Sequence, residues 1–310
     1  MNDSAVPWRR IAQVMPGPAP ASWAVSHAAL PVVQPSGRGR LRVHFSARDA
    51  GNRSRIGTIE VDPAVWAPID REPAALVLDI GRPGTFDDHG VTSSWIVEHD
   101  GREFHYYTGW TLSPTVPFLF FAGLAIRETG ADCARRVSEA PILGRSTIDP
   151  FLTASPCVLI DNGVWRMWYV SGVGWRSAVD PPQPLYHIKY AESRDGIAWR
   201  RAGVVCIDFA GPAEHAIARP CVIKEDGRYR MWFCSRGRAY RIGYAESADG
   251  LVWERDDARG GLLPAAEGWD SEMVAYPFVV DHGGERLLFY NGNGYGRSGF
   301  GVAAWNGAGR

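Results

Sequence analysis

The sequence predicts an all-β fold: one domain over residues 1–310, a five-bladed β-propeller whose ring is closed by an N-terminal strand completing the last blade. Three observations predict it. Tyr190–Gly203 reads YAESRDGIAWRRAG and Tyr244–Asp257 reads YAESADGLVWERDD, so a YAES, DG and W core returns about 54 positions later. Self-similarity at a long fixed period marks a repeat architecture. Apolar runs parted by DG, NG or GG pairs recur along the chain, the strongest short-range signal of tight hairpins. Finally, 13 Trp, 11 Tyr and 12 Phe beside 35 Gly and 22 Pro suit many short strands and turns.

Extended outward, the repeat gives five units of three strands each. The first strands carry Leu30-Pro31-Val32-Val33, Ser94-Trp95-Ile96-Val97, Ser155-Pro156-Cys157-Val158, Arg219-Pro220-Cys221-Val222 and Tyr276-Pro277-Phe278-Val279. The second strands are Leu41–Ser46, Glu103–Thr108, Trp165–Ser171, Tyr229–Ser235 and Arg286–Asn291. The third are Arg55–Val61, Gly123–Arg127, Tyr186–Ser193, Tyr240–Ser247 and Gly299–Trp305. Hairpin turns fall at Asp100-Gly101, Asn162-Gly163, Asp226-Gly227 and Gly283-Gly284. The fifth unit lacks a fourth strand, which Trp8–Met15 supplies, with Pro16–Pro20 as connector; pairing the two chain ends removes open sheet edges. No helix of substance is expected. The insertion Trp110–Phe121 reads as a packed loop or a lid over a pocket, and Gly172–Pro184 as a rim loop.

Composition narrows the function classes. The net charge of −1 and the absence of a long basic run predict no nucleic-acid partner. No apolar run reaches about 18 residues, which predicts no membrane span. The opening MNDSAVPWRR lacks the charged and apolar regions of a secretion signal, so a cytoplasmic location is expected. Cys133, Cys157, Cys206, Cys221 and Cys234 have no metal-type spacing and read as buried reduced thiols. No obligate protein partner is evident.

In a propeller the segments entering the innermost strands meet at one mouth. Those segments offer Ser26 and His27, then Asp87, Asp88 and His89 in FDDHGVTSS, and Asp149 and Thr153 in DPFLTASP. They continue with Glu214, His215 and Arg219 in EHAIARP, then Asp270, Glu272 and Tyr276 in WDSEMVAYP. A ring of carboxylates points to acid–base work, a metal or sugar hydroxyls, since crowded carboxylates are costly. The bland alternative is that some cap turns, and that each histidine bonds a backbone carbonyl or a carboxylate. His89, His215 and Glu272 would make a chemically sensible divalent-metal site, though no cofactor is required. Arg48 and Arg236 suit an anionic group or a surface ion pair. Trp110, Trp175, Trp269, Tyr276 and Tyr295 suit stacking on sugar faces, and the NGNGYG stretch reads as a rim loop offering Asn293 and Tyr295.

The five-unit pattern and the turns Ser193–Trp199 and Ser247–Trp253 resemble the glycosidase five-bladed propellers. These are the arabinanase and xylosidase type of glycoside hydrolase family 43 and the invertase and levansucrase type. The stretches FDDHGVT, ASPCV, IARPCVIKEDG and WDSEM look closest to a glycosidase-like branch of that group. The resemblance implies a carbohydrate-active enzyme working on a small glycan or activated sugar with inner-strand carboxylates. By chemistry, Glu272 is the expected acid, Asp88 the base or nucleophile and Glu214 the third carboxylate. Arg219 and Tyr276 hold substrate, and Asp87, Asp149 and Asp270 stand in reserve. The sequence departs from the family at unit one, where Ser26-His27 replaces the expected inner-strand Asp, and Arg219-Pro220 lacks the Asp of an Arg-Asp-Pro motif. Two alternatives remain: the scaffold serving other chemistry with a His/Glu metal site, and a non-catalytic sugar-binding propeller.

Overall fold

A computed structural model describes residues 7–17, 21–69, 75–128 and 130–306. After β1 (Trp8–Met15), its strands form five antiparallel meanders. The first runs β2 (Ser26–Ser36), β3 (Arg40–Arg48) and β4 (Ser54–Asp62), with β5 (Ala67–Pro68) and β6 (Ala75–Leu78) on the far edge of β4. The second runs β7 (Gly90–His99), β8 (Arg102–Thr111), β9 (Leu119–Glu128) and β10 (Arg135–Arg136). The third runs β11 (Thr153–Asp161), β12 (Val164–Arg176), β13 (Gln183–Ser193) and β14 (Trp199–Ile207). The fourth runs β15 (Ala216–Glu225), β16 (Arg228–Arg236), β17 (Tyr240–Ser247) and β18 (Glu254–Arg255). The fifth runs β19 (Ala275–His282), β20 (Glu285–Asn291) and β21 (Phe300–Trp305), and its fourth member is β1, paired antiparallel to β21. Among the described residues, two α-helical turns, α1 (Asp257–Gly260) and α2 (Asn293–Gly296), and a 3-10 turn at Gly37–Gly39 interrupt the strands. The Pro16–Pro20 connector lies partly outside the described residues.

The first strands neighbour one another in a cycle: β2 touches β7, β7 touches β11, β11 touches β15, β15 touches β19, and β19 returns to β2. The expected hairpins are present. Asp100-Gly101, Asn162-Gly163 and Asp226-Gly227 have positive φ at both positions, 49° and 71°, 52° and 76°, 50° and 76°. That is the geometry of a type I′ turn, whose twist matches the flanking strands.

The repeated SxDGxxW turn joins neighbouring meanders. In Ser193–Trp199, the Ser193 hydroxyl accepts the Asp195 and Gly196 N–H groups, and the Asp195 carboxylate accepts those of Ile197 and Ala198. Gly196, at φ 74°, is thereby turned so that its carbonyl accepts Trp199 Nε1 within the turn and Tyr106 Oη from the second meander. Gly250 repeats this, accepting Trp253 Nε1 at 3.0 Å and Trp168 Nε1 of the third meander at 2.8 Å. The Gly260 carbonyl likewise takes Trp8 Nε1 of the fifth meander and Trp232 Nε1.

The core between meanders is aromatic, with Trp168, Trp232, Tyr169, Phe233 and Phe289 fully buried. Four cysteines are buried free thiols as expected, but Cys133 is exposed because its loop flanks the short edge strand β10. Among the described residues, no helix is long and apolar enough to cross a membrane.

Trp168→Phe keeps the packed ring but removes its N–H bond to Gly250. The expected cost is about 1–3 kcal/mol in urea unfolding with an unchanged far-ultraviolet spectrum. An unshifted urea midpoint would show that the bond between meanders contributes nothing.

Candidate functional site

Each first strand carries a register irregularity beside its landmark motif. In four of them the residue before the proline takes a left-handed backbone: Leu30 (φ 53°), Ser155 (φ 47°), Arg219 (φ 53°) and Tyr276 (φ 59°). Such conformations cost about 1–3 kcal/mol each and gather where a side chain must be aimed. Three of these side chains, Leu30, Ser155 and Tyr276, line one cavity of about 380 Å³. Its wall continues with Arg48, Thr92, Thr108, Trp110, Tyr186 and Tyr240. Leu112, Pro117, Phe118 and Phe120 close one side, so the Trp110–Phe121 insertion forms a wall of the cavity. Phe118 stacks on Phe120 at 4.1 Å and meets Trp175 edge-on at 5.5 Å, which joins the insertion to the Gly172–Pro184 loop.

Trp110 is wedged by close approach. A Cβ at Gly90 would sit 1.8 Å from Trp110 Nε1, so only glycine admits the indole there. Arg48 lies over the Trp110 ring at 5.7 Å, and His89 meets it edge-on at 4.8 Å. Tyr186 and Tyr240 share a hydroxyl–hydroxyl bond of 2.5 Å. Burial raises the pKa of both and of Tyr276, so all three are neutral hydrogen-bonding groups.

None of the expected carboxylates lines this cavity. Asp87, fully buried, accepts Tyr107 Oη at 3.0 Å and Arg136 Nε at 2.7 Å. Asp149, fully buried, accepts Tyr169 Oη at 3.1 Å, Ser171 Oγ at 2.6 Å and Arg201 at 2.8 Å. Asp270 accepts Tyr290 Oη at 2.9 Å and Arg10 Nε at 2.7 Å. Glu214 sits in a two-bond fork with Arg255 at 2.7 and 2.8 Å; against the opposing pull of burial, the fork and the Ala210 N–H hold its pKa below the usual value. These four serve as ties from the loop before each first strand to the fourth strand of the same meander. Asp88 accepts the Gly84 N–H at 2.9 Å and caps a turn. Glu272 is exposed and its carboxylate has no hydrogen-bond partner among the described residues.

The other expected residues divide. Arg48, Trp110 and Tyr276 line the cavity. Arg219 does not: it is 2% exposed, and its guanidinium donates to the carbonyls of Ser93 at 2.6 Å and Pro31 at 3.2 Å, in two other meanders. Burial pushes its pKa down to about 10. Arg236 lies over Tyr240 at 5.4 Å and over Tyr295 at 5.5 Å. Trp269 stacks on Tyr290 and is away from the cavity wall. His27 is buried against Ser26 Oγ at 3.0 Å, and His215 is buried with Nε2 unbonded. Among the described residues, no group of three His, Cys, Asp or Glu is placed to hold a metal ion, so His89, His215 and Glu272 do not form the alternative metal site.

The sequence reading missed Thr92, Thr108, Ser155, Tyr186 and Tyr240 as cavity residues. The two tyrosines had a signal, since Tyr186 and Tyr240 stand at the same offset as the two YAES copies.

Solved structures sharing this fold include glycoside hydrolases. A thermostable family-43 glycoside hydrolase superposes over 94% of this chain and 91% of its own, with TM-score 0.66 and 17% identity. The endo-arabinase from Bacteroides thetaiotaomicron does so over 95% and 97%, with TM-score 0.60 and 14% identity. Another glycoside hydrolase covers 97% and 91%, at TM-score 0.67 and 16% identity. These likenesses define a glycosidase-type all-β fold. No protein-family model matches the chain. Two uncharacterized proteins of Mycobacterium tuberculosis, Rv1502 of strain H37Rv and MT1551 of strain CDC 1551, are each 43% identical over 296 residues, spanning 96% of this chain and 98% of theirs. The chain belongs to the family of these two proteins.

Two outcomes follow from the buried charges. Asp149→Ala strands Arg201 and Lys189 without their carboxylate, and a loss of about 3–5 kcal/mol in urea unfolding is expected; Glu272→Ala, by contrast, should leave the midpoint unmoved. Acid should also destabilise the fold. Burial, with Arg48 and Arg297 adding, pushes His27 down to about 4, and burial lowers His44, His105 and His215. Between about pH 6.5 and 4 the unfolded chain therefore binds protons that the folded one does not, and stability falls as pH drops through that window. Equal urea midpoints at about pH 7.5 and about pH 5 would contradict this.

Proposed function

We propose that the protein is a single-domain, five-bladed β-propeller whose ring is completed by β1, and a carbohydrate-active protein that holds a small glycan or activated sugar in its central cavity. The cycle of first strands and the β1–β21 pairing support the architecture. One observation carries the function: the cavity wall combines aromatic faces from Trp110, Phe118, Tyr240 and Tyr276 with hydroxyls from Thr92, Thr108, Ser155 and Tyr186. A sugar presents apolar C–H faces and a rim of hydroxyls, and such a wall meets both. The volume of about 380 Å³ falls at the small end of ligand pockets, roughly 300–1,000 Å³.

Binding is the primary reading, because the cavity wall holds no carboxylate to serve as acid or base. Hydrolysis is the second, favoured by Glu272. Its carboxylate is exposed and unpartnered among the described residues, on the loop leading into Tyr276. In that reading Glu272 is the acid and Asp88 the base or nucleophile. Glu214 is excluded as acid, because Arg255 keeps it ionised.

A thermal-shift panel of monosaccharides, short oligosaccharides and nucleotide sugars on wild type and Glu272→Gln tests both readings, since a ligand of the native state raises the melting temperature. A sugar that stabilises both proteins supports the cavity as a sugar site. Consumption of that sugar by wild type alone supports hydrolysis, and consumption by neither rejects it. A panel in which no sugar stabilises wild type overturns the proposal.

A further inference from the structure

Among the described residues, Arg48 in the cavity wall and Arg236, which lies over the cavity-lining Tyr240, have no carboxylate partner, whereas several part-buried arginines elsewhere do. Arg136, Arg201, Arg255 and Arg286 each bind a carboxylate within 2.9 Å. Arg48, in the cavity wall, donates its guanidinium among the described residues only to the neutral Asn52 Oδ1 at 2.9 Å. Arg236 has no hydrogen-bond or ion-pair partner for its side chain among the described residues, and its Nε is buried and unbonded. Beside it in the sheet, His215 is 4% exposed with an unbonded Nε2, and its backbone N–H donates to the Arg236 carbonyl at 3.0 Å. Arg219, next to the cavity-lining Ala218, is buried and, among the described residues, has two carbonyls and no carboxylate to answer its charge.

A charge withdrawn from water without a counter-ion is unfavourable, and the potentials of neighbouring cations add. An anion entering the cavity supplies the missing counter-charge. The ring contacts suit this role: a guanidinium lying over an aromatic face keeps its N–H edge free to donate in its own plane, the geometry that binds phosphate or carboxylate oxygens in pairs.

We propose that the ligand of this cavity is an anionic sugar, bearing a phosphate or a carboxylate, and that Arg48 and Arg236 bind the anionic group. This rests on the cavity being a sugar site. The aromatic and hydroxyl wall takes the sugar body, and the two guanidiniums select the charged substituent over a hydroxyl.

Titration calorimetry at low salt on the full chain, with glucose 1-phosphate, glucuronate, glucose and inorganic phosphate, tests the inference. At least one charged sugar is expected to bind about tenfold or more tightly than glucose, with the better of the two identifying the anionic group. Arg48→Gln and Arg236→Gln are expected to weaken it about tenfold or more while melting as wild type does, and Arg48→Lys is expected to recover part of the loss. Glucose binding as tightly as both charged sugars, or charged sugars binding unchanged to both glutamine variants, overturns the anion inference and leaves the sugar site standing. Inorganic phosphate binding as tightly as glucose 1-phosphate supports the anion site and overturns the sugar reading. No binding by any of the four overturns both.

Discussion

Each of four meanders is held by a carboxylate, buried in three of them and half-buried in the fourth, that ties its innermost loop to its outermost strand. Asp87, Asp149 and Asp270 each accept a tyrosine hydroxyl from the second strand and an arginine from the fourth. In the fourth meander Glu214 reaches Arg255 directly, and the guanidinium lies over Phe233 at 5.1 Å where the other meanders have a tyrosine. A carboxylate removed from water is tolerated only when its oxygens are all engaged, so these ties are all-or-nothing contacts. Because each spans a whole sheet, the positions of four of the five first strands, and hence of much of the cavity wall, depend on them. The cavity wall itself carries Arg48 and no carboxylate, so it is neutral and cationic.

The fold was legible because it is local and repeated. Strand period, type I′ turn pairs and the SxDGxxW turn all act over a few residues, and five copies of the same pattern correct one another. Even the long-range pairing of Trp8–Met15 could be read, since the fifth unit visibly lacked a strand. The cavity wall was legible only in part. Arg48, Trp110 and Tyr276 were read as ligand residues and line the cavity. The carboxylates were expected there because they precede the first strands at similar spacing, but a structural tie and a catalytic ring have the same spacing. What separates them is a partner far along the chain. Each Asp of the three ties has a tyrosine twenty positions later, and that recurrence was the available clue.

Arg219 shows why residue type misleads at such a centre. Its neighbour Ala218 lines the cavity, yet its own side chain cross-links the carbonyls of Ser93 and Pro31. A left-handed backbone before a proline aims the side chain independently of strand alternation, so a period-two reading cannot place it. The same local geometry sends Tyr276 to the cavity wall and Arg219 to the frame.

The pairing of β1 with β21 has a consequence for the order in which the protein is made. Of the two strands, β1 leaves the ribosome first and can find its partner only after β21 has emerged. Until β21 is made, the strand that β1 pairs with does not exist. The final docking is then a single long-loop closure spanning almost the whole chain, the slowest kind of contact to form by diffusion. A nascent chain stalled before residue 300 would present two unmatched strand edges, its own first and its unfinished last.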